Sequence, residues 1–515
     1  MFRGWQIARA PHIAKAHVAK DWSRSRTEEG DETVMTTRAP ALVWFFQDLR
    51  LDDQPALAAA LASGRPLVAI FVLDTASPGE WAPGGAGRWW LEGSLAALGR
   101  ELGARGASLV LRRGAMAREI LRLVEETGAA EIHCGRAVEP WLRAVIGELR
   151  QVLARRGVAL HEHETRFLFA PERLRTQNGG AFSVFTPFAR AALAAGLDEP
   201  VWPAPATLPG FPATLAGDDL ATWRLRPTHP DWAAEMRALW APGAAGAAAR
   251  LTRFLADAFP AYDRARDVPG HASTSMLSPH LHWGEISPRR VWQAASRAAP
   301  GGGKHLHSFH NEMLWREFSA YLLWHHPRLP EQPLRGEFAA MPWRRDEAAL
   351  TAWRRGETGI PIIDAGMRQL WRWGWMHNRV RMIAASFLVK HLLLPWRVGE
   401  AWFWDTLLDA DLAANAASWQ WVAGSGADAA PYFRIFNPIL QGRKFDPNGA
   451  YVRRFVPELA ALPDDVIHAP WTAPRLVLAA AGVVLGRTYP RPVVDLALGR
   501  ARALAAFAAL PRRAA

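Results

Sequence analysis

GWMHNRVRMIAASFLVKHLLLPWRVGEAWFWDTLLDADLAANAASWQW, residues 374–421, decides how the second half of this chain is built. Its apolar positions recur at helical spacing, and a helix has to be hydrophobic on only one face. Yet Asn378, Arg379 and Arg381 share one turn and Asp409 and Asp411 another, with Asn415 and then Trp419 and Trp421 following. A buried polar group without a partner costs about 1–3 kcal/mol, and a lone charge more. These groups therefore need internal partners, and a bound polar ligand is the obvious one. No third or fourth metal ligand stands near Asp409 and Asp411, so Arg381 is the simpler partner for them.

Working outward, every convincing segment from residue 232 onward is helical: 247–259, 287–298, 309–325, 346–354, 359–372, 380–393, 401–408 and 493–508. Toward the N-terminus the pattern changes. ALVWFF, PLVAIFVLD, SLVLRRG and EIHCGR read as short buried strands, with helical segments at 89–105, 115–127 and 141–156 between them. This βαβα order predicts a Rossmann-like parallel sheet covered by helices. The fold class is thus α/β plus all-α. Residues 39–170 form the α/β domain, 171–235 a long Pro- and Gly-rich connector, and 236–512 an all-helical domain. Residues 1–38, with their polar run SRSRTEEGDET, are expected to be a disordered tail or to start at a mis-chosen codon.

Composition narrows the function classes. Across 515 residues, 61 Lys and Arg against 49 Asp and Glu leave a net charge of +12, which suits a polyanionic partner. Most of the 26 tryptophans cluster from residue 283 onward and suit stacking on bases or on a flat cofactor. A single cysteine, Cys134, excludes an internal disulfide and fits a reducing cytoplasm. No segment is long and apolar enough to span a bilayer.

Several motifs invite competing readings. HEHE (161–164) puts His161 and His163 on one face of a strand, and HLHSFH (305–310) sits at a loop-to-helix junction; neither spacing closes a tetrahedral metal site. GSGADA (424–429) matches a dinucleotide fingerprint by letters, but follows a helix rather than a strand. The hydroxyls of TSMLS (274–278) suit either a helix cap or a phosphate. In NEMLWREF (311–318), Glu312, Trp315 and Arg316 share one helix face, as do Trp375, Asn378, Arg379 and Met382.

Taken in order, FFQDLRLDD, FTPFAR, TSMLSPHLHWGEISPR, NEMLWREF, TGIPIIDAGMRQLWRWGWMHNRVRM and DADLAANAASWQW…DAAPYFRIFNP closely resemble the photolyase/cryptochrome family, most of all bacterial class I cyclobutane pyrimidine dimer photolyases. The resemblance covers about residues 41–512. It implies that the helical domain holds FAD and acts in its reduced form, using light to repair dimers in UV-damaged DNA, duplex or single-stranded, as a cytoplasmic monomer. Alternatives within the family are a blue-light photoreceptor and a (6-4) photolyase.

Carried over by position, Tyr262, Thr274, Ser275, Met276, Leu277, Ser278, Phe309, Glu312, Arg316, Asn378, Arg381, Asp409, Asp411 and Asn415 would surround the FAD. Glu312, Trp315, Met382, Asn415 and Trp421 would be catalytic or line the dimer cavity. Trp343, Trp396 and Trp419 match the family's electron relay. Arg266, Arg316, Arg379 and Arg434, with Glu312, Trp315, Asn378 and Trp421, would contact DNA. In the family, Asn at the position of Asn415 accompanies repair, whereas plant and animal cryptochromes tend to carry Asp or Cys there.

The chain departs from the family pattern at Phe46, Gln54 and Met276, where a basic residue, Asn and Arg are common. Trp141 and Leu142 stand where well-known folate-binding members have Asn and Glu, so a second, antenna chromophore is open between folate, a deazaflavin, another flavin and none.

Overall fold

A computed structural model describes residues 38–196, 201–429 and 434–511. Residues 1–37 of the expected N-terminal extension, the APYF portion of the DAAPYFRIFNP motif and residue 512 lie outside the described residues.

Five parallel strands form the sheet: β1 (Ala41–Phe45), β2 (Leu67–Leu73), β3 (Leu109–Arg113), β4 (Glu131–Gly135) and β5 (Ala159–His163), in spatial order β3-β2-β1-β4-β5. β1 and β2 are buried along their whole length because side chains alternate between two covered faces. Ala41, Val43 and Phe45 point to one face, where α1 (Pro55–Ala62) and α2 (Gly85–Gly103) pack through Leu57, Trp89 and Trp90. Leu42 and Trp44 point to the other, against α3 (Met116–Thr127) and α4 (Pro140–Arg155) through Ile120, Leu123 and Leu149. The edge strand β5 is more polar and carries the HEHE histidines, while α1 is Ala-rich with weak periodicity and was not among the segments assigned from pattern.

Within 171–235 the chain is not all connector. Residues Phe185–Ala195 form α5, which buries Phe185, Phe188, Ala189 and Ala192 against the Lys304–His325 helix through Phe318 and Tyr321. The remainder is irregular yet tied to the α/β half, with Leu208 N–H donating to Arg105 O (2.7 Å) and Asp218 N–H to Leu111 O (2.7 Å).

The largest apolar cluster lies in the helical half and includes Trp353, Met376, Val380, Leu388, Trp396 and Trp419. The helix expected over 380–393 is interrupted. An α-helix runs over Asn378–Ser386 and widens into a π-turn at Phe387–His391; Leu393 then adopts a left-handed φ of 54°. Pro395 bars a continuing helix, and the π-turn carries Lys390 inward to donate to Ala423 O at 3.2 Å.

Much of FFQDLRLDD joins the two halves. Arg50 donates to Gly284 O (3.0 Å), Asp53 O (2.7 Å) and Thr165 O (2.6 Å), while Arg289 pairs with Asp53 and Arg290 with Asp52. Gly284, with φ of +66°, lies so close that a Cβ there would be 2.2 Å from Gln47 O. Gln54 holds this turn by donating to Asp48 O and capping α1.

Candidate functional site

Several of the polar groups of residues 374–421 find partners within the chain. Arg381 donates to Met376 O (2.7 Å) and pairs with Asp409 Oδ2 (2.8 Å). Asp411 caps the Leu412–Ala423 helix by accepting from Ala414 N–H (2.8 Å). Asn415 donates its amide N–H to Glu400 O (3.1 Å), which directs the amide oxygen away from that carbonyl. Arg381 thus serves Asp409 alone. Asp411 instead faces Arg166 (3.9 Å) and His282 (3.8 Å), residues that sequence reasoning did not single out. Burial raises the Asp411 pKa, but the neighbouring His282, Arg316 and Arg166 outweigh it and hold the carboxyl well below its ordinary range.

On the Lys304–His325 helix, Glu312 pairs with Arg266 at 2.5 Å, and Arg266 lies 5.5 Å over the Tyr262 ring. Tyr262 and Phe309 are buried in one aromatic cluster with Leu277. Trp315 stacks face to face on Phe185, with ring centroids 3.7 Å apart. Arg316 turns inward: it donates to Arg166 O (2.8 Å) and lies 4.7 Å over Phe167. This corrects its expected place among the DNA contacts, because those donors point into the protein. Arg379 pairs with Asp267 (2.8 Å) and reaches toward Met382 Sδ (3.9 Å). Arg434 is exposed beside a small cleft that Trp421 and Lys390 also line.

In the 274–278 loop, Met276 adopts φ of 50° and packs on the apolar cluster of Trp375 and Leu408, so it supplies no charge where Arg is common. Ser275 Oγ accepts from Leu277 N–H (3.3 Å), and Trp375 Nε1–H donates to Ser278 Oγ (3.1 Å). Thr274 is half-buried and Asn378 exposed. Asp409 Oδ1 is buried with no hydrogen-bond partner. That orphaned acceptor fits a ligand with an N–H donor such as a flavin ring.

Trp396 and Trp419 are buried in one cluster and Trp343 packs against it. Gly399 makes room for this packing: a Cβ there would lie 2.1 Å from the Trp419 ring. Trp419 also touches Phe403 (5.0 Å) and Trp353 (6.2 Å).

The histidine motifs resolve differently. His133 on β4 meets His163 at 3.0 Å and stacks on His161. Burial, with His133 and His161 adding to it, lowers His163 to about 4. His310 stacks on Trp292 at 3.5 Å.

A cavity opens where the carboxyl ends of β1 and β2 meet the helical half, lined by Phe46, Asp74, Glu139, Trp141, His282 and Trp404. Ligands of open parallel sheets bind at such ends. Among the described residues no helix is long and apolar enough to cross a membrane.

Fold and site together define a flavoprotein class. Residues 309–509 match the FAD binding domain of DNA photolyase, and residues 41–207 match DNA photolyase. A deoxyribodipyrimidine photo-lyase of Agrobacterium fabrum is 49% identical over 92% of this chain and 98% of its own. Cryptochrome-1 of Arabidopsis thaliana is 39% identical over 90% of this chain and 69% of its own. Among solved structures, a bacterial class III photolyase from Agrobacterium tumefaciens superposes with a TM-score of 0.90 at 47% identity, covering 93% of this chain and 99% of that one. The chain belongs to the photolyase/cryptochrome family, and its helical half is the FAD-binding domain. The expected likeness to class I is corrected here, since that solved neighbour is named a class III photolyase.

Proposed function

We propose that the protein uses blue light to split cyclobutane pyrimidine dimers in DNA, as a soluble cytoplasmic monomer. The observation that carries this reading is Asn415. Its amide N–H is committed to Glu400 O, and the neutral side chain cannot release a proton as Asp would.

Bound FAD supplies the excited electron. The protein's part is position and charge. A dimer inside a duplex must leave the stack to reach a buried cofactor, and its damaged pairing lowers that cost. Trp315, held flat against Phe185, and Trp421 offer aromatic walls to the extruded bases, with Met382 between polar and apolar surroundings. Glu312, held by Arg266, offers a fixed acceptor to base N–H groups. Arg379 and Arg434 hold flanking phosphates, making affinity fall with salt. Arg381 with Asp409, Asp411, Asn378 and the 274–278 loop hold FAD, and Arg316 supports that site from inside. Trp419, Trp396 and Trp343 carry electrons inward from the surface. The cavity at the sheet's carboxyl edge is the candidate place for an antenna chromophore: folate, deazaflavin or a second flavin. We retain 39–170, 171–235 and 236–512 as the functional units.

Illuminating reduced protein with an oligonucleotide carrying one thymine dimer tests this reading. The likeness to Cryptochrome-1 favours a second one, a photoreceptor, which predicts stable flavin photochemistry with the dimer left intact.

A further inference from the structure

Glu139, Arg166 and Asp411 form a buried line of charge from the sheet-edge cavity to the helical site. Glu139 precedes α4 and lines the cavity. Both of its oxygens accept from Arg166, at 2.7 and 2.9 Å, with the two side chains 5% and 2% exposed. The same guanidinium reaches within 3.9 Å of Asp411 Oδ2. Its Nε has no hydrogen-bond partner, and its backbone carbonyl is pinned by Arg316. His282, another cavity-lining residue, stands 3.8 Å from the same Asp411 oxygen.

We propose that Arg166, shared between Glu139 and Asp411, is a positioning residue of the flavin site: it keeps Asp411 ionised and oriented, and so couples the charge at the cavity to FAD binding. The inference rests on the reading of Asp411 as an FAD-binding residue. Arg166 stands between two carboxylates in a region with little water. Removing it leaves them to repel each other, and one must take up a proton. The other groups facing this cluster are Asp48 from the loop after β1, His282, and Arg316 with Glu317 from the Lys304–His325 helix.

Titration of apoprotein with FAD, followed by flavin fluorescence, tests the coupling. Arg166→Met should weaken binding on the order of tenfold. Glu139→Gln on that background should recover most of the loss, because the repulsion is gone. Glu139→Gln alone should strengthen binding several-fold, since Arg166 is then free to serve Asp411. Wild-type affinity in Arg166→Met, or a double variant no better than the single, overturns the proposal. If Arg166→Met does not fold, unchanged affinity in Glu139→Gln overturns it instead. Asp411→Asn separates the two readings: wild-type affinity there removes Asp411 from the flavin site, whereas a loss there with none in Arg166→Met refutes the positioning role alone.

Discussion

Glu312 Oε1 lies 2.5 Å from the guanidinium of Arg266, so the acceptor on the proposed lesion cavity is held by a fixed charge. The pair is partly exposed, so its own contribution to stability is small. Glu312→Ala should therefore fold and stay yellow. Its repair yield should fall about tenfold, the scale of one charge-assisted hydrogen bond, read as dimers lost per absorbed photon.

Arg381 and Asp409 differ from that pair because Asp409 is almost wholly enclosed, at 4% side-chain exposure. Arg381→Leu leaves a buried carboxylate unpaired, a loss of about 3–5 kcal/mol. Thermal unfolding should move down, and the purified protein should be depleted in FAD. Retained flavin at full stoichiometry would show that the pair is not part of the site.

Trp343 sits at the outer edge of the cluster holding Trp396 and Trp419. Trp343→Phe should slow photoreduction of oxidised flavin while repair by chemically reduced protein stays at the wild-type rate. Transient absorption separates the two. Gly399→Ala should disturb the inner end of the same path. A Cβ 2.1 Å from the Trp419 ring forces repacking that costs about 1–3 kcal/mol.

These sites were unequally legible in the sequence. β1 to β4 and α2 to α4 stand out because both faces of a parallel sheet are covered, giving continuous apolar runs between amphipathic helices. Arg381 was recognisable as a carboxylate partner because both residues fall in one polar-marked stretch. That it serves Asp409 and not Asp411 was hidden: the partners of Asp411 come from His282 and from Arg166 after β5, and no local spacing reports such distant contacts. The π-turn at Phe387–His391 was equally hidden, since the carbonyl that Lys390 meets from it lies 33 residues on.

Lys390 gives a pH prediction. Burial lowers its pKa from 10.5 to about 7. The unfolded chain therefore binds more protons than the folded one between those values, and stability rises as pH rises through that window. Chemical denaturation from about pH 7 to about pH 10 should show this rise in the wild type and a flatter profile in Lys390→Met.

The most direct measurement is dimer repair itself. Reduced, FAD-loaded protein is mixed with an oligonucleotide bearing a single thymine cyclobutane dimer, and dimer content is followed under blue light and in the dark. Dimers that disappear only in the light, with salt weakening binding, are the predicted result. Dimer content unchanged in both, while the flavin itself is photoreduced normally, would contradict the account and leave the photoreceptor reading.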